Sequence, residues 1–153
     1  MKNIIEMDHV TFSKGNDMIL NSICLEIKQG EFVCIVGENG AGKSSLIRVL
    51  LGIEKYNMGS ICIFNKELCE NRIDILSRIG FVAENLNNSF ATDKVIDELS
   101  FSLKKLHLSD EEIQCRIKEI VSCLSIDDIL NCIPSSLSVG QKQLVSLATA
   151  LVM

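Results

Sequence analysis

Residues 37–44 read Gly-Glu-Asn-Gly-Ala-Gly-Lys-Ser, and they follow Glu31-Phe-Val-Cys-Ile-Val36, a run that is apolar after its first residue. No other stretch constrains the fold as tightly. A continuous apolar run of this length predicts a strand buried on both faces. The residues after the glycines, Leu46, Ile47, Val49, Leu50 and Leu51, predict a short buried helix over Lys43–Leu51. Glycines adopt backbone angles that other residues resist. Successive N–H groups can therefore curl into a nest around phosphate oxygens, and the following helix turns its positive end toward them. The spacing satisfies G-x-x-x-x-G-K-[ST], in which the lysine reaches the outer phosphates and the hydroxyl is placed to ligate Mg²⁺. The candidate nucleotide-binding residues are Gly37, Glu38, Asn39, Gly40, Ala41, Gly42, Lys43, Ser44 and Ser45, with Ser44 as the metal ligand. The ligand they imply is a nucleoside triphosphate, ATP with Mg²⁺.

Around the loop the chain begins as strands. Ile4 to Phe12 is one, a polar turn covers Ser13–Asp17, and Ile19 to Ile27 is the next. In the latter, Ile23, Leu25 and Ile27 share one face, Cys24 and Glu26 the other. Gln29-Gly30 is a turn. Ser60 to Phe64 and Ile79 to Ala83 are further strands, the second buried. The character changes after Glu84. Thr92 is placed to cap a helix from Asp93 to about Leu106, and Ser109-Asp-Glu-Glu112 reads as a capping box. Ile113, Ile117, Ile120, Val121 and Leu124 follow at helical spacing. Ser125 is placed to cap a short helix that Pro134, the sole proline, closes, and a last helix starts near Val139. The expected fold class is α/β, a P-loop NTPase core with a helical subdomain. The division is expected at 1–84 and 85–153, inside the polar stretch 84–89.

With 153 residues, 47% hydrophobic and 23% charged, the chain can build a real core. No apolar run approaches the roughly 20 residues of a membrane span. The N-terminal residues meet Glu6 too soon for a signal peptide. The expectation is a cytosolic protein able to dock on a membrane partner. A net charge of −5 with 15 scattered basic residues argues against nucleic acid as the main ligand. Seven cysteines without a C-x-x-C pair read as reduced and buried. Neither His9 nor His107 lies at ligand spacing from a cysteine, which argues against zinc.

The loop and its flanks resemble the Walker A motif of ATP-binding cassette (ABC) transporter ATPases. About 95 residues further on, Leu137-Ser138-Val139-Gly140-Gln141 is similar to that family's LSGGQ signature, and Lys142-Gln143 extends the likeness. Ile79–Val82 through Asn88 and Phe90 resembles the Q-loop region of the energy-coupling factor (ECF) type, with Glu84 at the Q-loop position. The resemblance covers essentially the whole chain. It implies two ATPase subunits, as a homo- or heterodimer, that sandwich two ATP molecules between the Walker A of one and the signature of the other. Closure would drive a transmembrane subunit at the cytoplasmic face of the membrane, in vitamin or metal-ion uptake.

The likeness also has departures. After the signature helix no strand ending in Asp-Glu follows, so the Walker B Asp, the catalytic Glu and the switch His have no counterpart among these residues. No catalytic residue is assigned, and ATP binding without appreciable turnover is expected of the 153 residues alone. Without further strands, 31–36 and 79–83 are expected to show apolar faces or open edges, with poor solubility. Lys14 stands where the family has an adenine-stacking aromatic, Phe12 being the substitute if it is not core. Glu84 replaces the Q-loop Gln. Val139 replaces the first signature Gly, and its branched side chain restricts the backbone. That points to an asymmetric pair. The alternative is a non-hydrolytic regulatory or remnant module that pairs with an intact ATPase. An unrelated P-loop kinase is opposed by the signature.

Overall fold

The structure is a computed structural model that describes residues 2–84, 86, 90–106 and 108–153. Most of the polar stretch 84–89, and His107, therefore lie outside the described residues. The chain forms two compact units, Met1–Leu76 and Ser77–Met153.

The first unit is built on an antiparallel sheet of order β2-β1-β3-β4. Strands β1 (Asn3–Lys14) and β2 (Asp17–Lys28) form a hairpin closed by Gly15-Asn16, where Gly15 has φ +63°. Strand β3 (Met58–Ile63) pairs with the other edge of β1, and Phe64-Asn65 turns it into the short β4 (Lys66–Glu67). Both turn residues have positive φ, as a tight hairpin of this hand requires. On β2, Ile23, Leu25 and Ile27 are half-buried while Cys24 and Glu26 are exposed, the alternation expected of them. Met7, Val10 and Phe12 of β1 and Ile61 and Ile63 of β3 are buried. Each such side chain contributes about 1.5–3 kcal/mol on leaving water. Phe12 is thus a core residue and not a surface for a base. Helix α1 (Lys43–Leu50) buries Val49 and Leu50. Helix α2 (Leu68–Leu76) has no counterpart in the sequence reading. Its pattern is interrupted at Asn71, whose backbone is non-helical and whose side-chain amide donates to the Glu67 carbonyl at 3.1 Å.

The second unit is helical. Helix α3 (Val95–Leu103) runs into a 3₁₀ turn, Lys104–Leu106; α4 (Asp110–Leu124) and α5 (Val139–Leu151) follow, with 3₁₀ turns at Asp127–Ile129 and Pro134–Ser136 between them. One apolar cluster joins Val95, Leu99 and Leu103 of α3, Ile113, Ile117 and Val121 of α4, and Val145 and Ala148 of α5. The three- or four-residue spacing within each helix puts these side chains on one stripe. The box at the start of α4 is present: the Ser109 hydroxyl accepts from the Glu112 N–H, and the Glu112 carboxylate accepts from the Ser109 N–H.

Several expectations are corrected. Neither Glu31–Val36 nor Ile79–Ala83 is a strand, and no strand among the described residues pairs with them. A strand needs a neighbour for its backbone groups, and an apolar run records only a preference for burial. As anticipated, their apolar side chains are bare: Phe32 is 97% exposed and Val36 83%, with Phe81 and Val82 also open. Thr92 does not cap α3. The buried Glu98 carboxylate accepts from the N–H groups of Ala91 and Thr92 and from the Thr92 hydroxyl, tying the incoming loop to the helix. Ser125 ends α4 in a left-handed conformation and does not start a helix. Pro134 opens a 3₁₀ turn, where its missing N–H costs nothing. None of the seven cysteines is buried; Cys62 and Cys132 are half-buried and the others exposed.

Candidate functional site

The loop Gly37–Gly42 leads directly into α1. Gly42 holds the junction at φ +89°, and a Cβ there would lie 3.1 Å from the Ile19 carbonyl oxygen and 3.3 Å from a Leu20 methyl. Both the backbone angle and the approach of β2 therefore demand glycine. Gly40, at φ +87°, has open space around it, so only its angle makes the demand. The loop closes with the Ala41 N–H donating to the Glu38 carbonyl at 3.2 Å. The first N–H groups of a helix have no partner within it, and no side chain caps those of α1.

Lys43, the first residue of α1, folds back over the loop. Its ammonium donates to the carbonyls of Gly37 at 2.8 Å and Glu38 at 2.7 Å. Ser44 is exposed beside it and Ser45 half-buried. The loop thus gathers an ammonium, uncapped helix N–H groups and a free-standing hydroxyl at one end of α1. This donor set suits a phosphate, and the hydroxyl suits a hard cation bound with it. The contribution of Ile19 and Leu20 was not visible in the sequence, because it comes from a neighbouring strand.

The residues Leu137–Gln141 lie in the second unit. Leu137 is buried and anchors the segment, while Ser138, Val139 and Gly140 are exposed at the start of α5. The Ser138 hydroxyl accepts from the Gln141 N–H at 3.3 Å, and the Gln141 side-chain oxygen accepts from the Ser138 N–H at 3.0 Å. This is a second capping box. Val139 is 74% exposed. At the far end of α5, a Cβ on Gly80 would meet the Ala150 carbonyl oxygen at 2.5 Å, so the segment leading to Glu84 runs hard against that last turn. Glu84 itself is exposed.

Two groups in the first unit titrate abnormally. Burial, helped by the Cys69 thiol 2.9 Å away, pushes the Tyr56 phenol up to about 12. Burial, then the carboxylates of Glu67 and Glu6, pushes the Cys62 thiol up. Neither belongs to the phosphate loop.

No helix among the described residues is long and apolar enough to cross a membrane. A profile of the ABC transporter family matches residues 20–153. The chain is 37% identical over 151 residues to the energy-coupling factor transporter ATP-binding protein EcfA of Aster yellows witches'-broom phytoplasma, covering 98% of this chain and 56% of that protein. It is 35% identical over 152 residues to EcfA1 of Ligilactobacillus salivarius, covering 97% of this chain and 54% of that one. The chain thus spans little more than half the length of these curated relatives. Among solved structures, CbiO1 of Clostridium perfringens, described as part of the ABC transporter complex CbiONQ, superposes with a TM-score of 0.85 at 28% identity, over 99% of this chain and 62% of that one. The phosphate loop and the α5 cap both lie within the residues matched by the profile, and the chain belongs to the ABC transporter family.

Proposed function

We propose that this chain carries the nucleotide-binding part of an ATP-binding subunit of an ECF-type importer. The observation that carries the reading is Lys43. It sits at the start of an uncapped helix, with its ammonium held by the carbonyls of a loop whose left-handed backbone at Gly40 and Gly42 calls for glycine. On this reading Gly37–Ser45 hold the phosphates of ATP, with Lys43 exchanging its carbonyl partners for phosphate oxygens. Ser44 ligates Mg²⁺, which supplies charge neutralisation at the phosphates when bound. Ser138–Gln141 meet the nucleotide of a second ATPase subunit, and a transmembrane subunit receives the motion at the cytoplasmic face. On the same reading Glu84 takes the Q-loop position, where its carboxylate brings negative charge near the γ-phosphate.

Because the Ser138 hydroxyl and the Gln141 side-chain oxygen each accept from the other's backbone N–H, α5 offers a partner's nucleotide mainly its remaining first-turn backbone N–H groups and the Ser138 hydroxyl. Val139 narrows that approach.

Titration with a fluorescent ATP analogue, with and without Mg²⁺, tests the proposal. Saturable binding that Lys43→Ala weakens and Ser44→Ala uncouples from Mg²⁺ is expected. Equal binding by Lys43→Ala and the parent chain would overturn it.

A further inference from the structure

Strand β1 contains an irregularity that brings three metal-ligating groups together, away from the phosphate loop. Met7 pairs with Leu25 and Val10 with Ile23, so Asp8 and His9 together oppose the single residue Cys24. This is a β-bulge, two residues against one. Successive side chains of a regular strand point to opposite faces. Here His9 takes φ +49°, and both it and Asp8 reach Cys24. His9 Nδ1 lies 2.8 Å from Cys24 Sγ and 3.4 Å from Asp8 Oδ1, and the His9 N–H donates to the same sulfur at 3.4 Å.

The opposite edge fixes the bulge in place. Asp8 pairs with Ser60 and Thr11 with Met58 across β3, leaving His9 and Val10 against Gly59. Gly59 has φ +92°, and a Cβ on it would fall 2.5 Å from the Asp8 carbonyl oxygen and 2.6 Å from that of His9. Only glycine lets the bulged backbone come this close.

We propose that Asp8, His9 and Cys24 form a binding site for a thiophilic divalent cation of the zinc class, with one coordination position left open. Thiolate, imidazole and carboxylate are its preferred donors. Tetrahedral zinc bonds hold such atoms about 3.4–3.6 Å apart, and the three donor atoms here already lie within 4.8 Å of one another. All three side chains are exposed and free to make the small adjustment. The ion takes the place of the proton between Nδ1 and Sγ, which is released on binding. The surroundings favour a cation. Glu6 and Glu26 face each other across the β1–β2 register and, with Asp8 and Cys24, line one open hollow of about 600 Å³. Like charges placed directly opposite on a sheet repel, and a cation between the strands relieves them.

The experiment is a titration of the 153-residue chain with Co²⁺, followed by Zn²⁺ displacement. One equivalent should give a thiolate-to-cobalt absorption band that Zn²⁺ abolishes. Cys24→Ser should remove the band. His9→Asn, chosen because asparagine tolerates a left-handed backbone, should weaken binding at least tenfold. Cys115→Ser, on the exposed face of α4, should change neither. Mass-spectrometric alkylation should find Cys24 protected by Zn²⁺ and Cys115 unprotected, with circular dichroism confirming that each variant is folded. No band at saturating Co²⁺, a band that survives Cys24→Ser, unchanged affinity in His9→Asn, or alkylation of Cys24 unaffected by Zn²⁺ would each overturn the site.

Discussion

The ammonium of Lys43 donates to the carbonyl oxygen of Gly37 at 2.8 Å, six residues back along the chain. The contact closes the phosphate loop on itself. It also holds the positive charge where an anion would need it. Replacing Lys43 with alanine removes a charge-assisted donor worth about 1.5–3 kcal/mol. The predicted outcome is a ten- to hundredfold loss of ATP affinity, measured by calorimetry, with the far-ultraviolet dichroism unchanged.

Gly42 and Gly40 share a left-handed backbone, but only Gly42 is also crowded by β2. A non-glycine residue in that conformation costs about 1–2 kcal/mol. Gly42→Ala adds the clash with the Ile19 carbonyl. Urea denaturation should therefore show Gly42→Ala less stable than Gly40→Ala, and nucleotide titration should show it the weaker binder. An equal effect would mean that the angle alone matters.

The α5 cap rests on two reciprocal hydrogen bonds between Ser138 and Gln141. Ser138→Ala should lower the stability of the helical unit by about 1 kcal/mol, the usual cost of a lost N-cap. Hydrogen exchange should place the loss in the first turn of α5.

Glu112 provides a pH dependence. Hydrogen bonds from the Ser109 N–H and hydroxyl hold its carboxyl below the ordinary range. The folded value is depressed, so the stabilisation is present above the unfolded value and is lost as pH falls through the folded one. The first turn of α4 should fray in acid, and Glu112→Gln should flatten that response. Amide exchange of residues 110–113 against pH measures it.

Phe32 and Val36 stand almost fully in solvent on a segment that has no strand partner among the described residues. Exposed edges of this kind pair with one another. The chain should self-associate with rising concentration in sedimentation velocity, and Phe32→Ser with Val36→Thr should shift it toward monomer. A sharp monomer peak for the parent chain at all concentrations would contradict this.

Features were legible in the sequence where the physics is local. The loop glycines, Lys43 and both capping boxes depend on residues three to six apart. So do the stripes of α4, where Ile113, Ile117 and Val121 all reach the core. Features that depend on a distant partner were not. Apolar residues at 31–36 and 79–83 announce strands, yet a strand exists only beside another. The apolar neighbours of Cys34 predict burial, yet it is exposed. His9 and Cys24 are 15 residues apart, and only the bulge in β1 makes them neighbours. Helix α2 escaped because its kink at Asn71 breaks the period that would have revealed it.

The contact between Gly80 and Ala150 gives α5 a mechanical character. The helix has 13 residues and is about 20 Å long. One end carries Ser138; the other bears on the backbone four residues before Glu84, with no gap a methyl group could enter. A stiff rod with no slack at its far end turns a push into a displacement. Ser138 and the segment that leads to Glu84 thus lie at opposite ends of one packed helix.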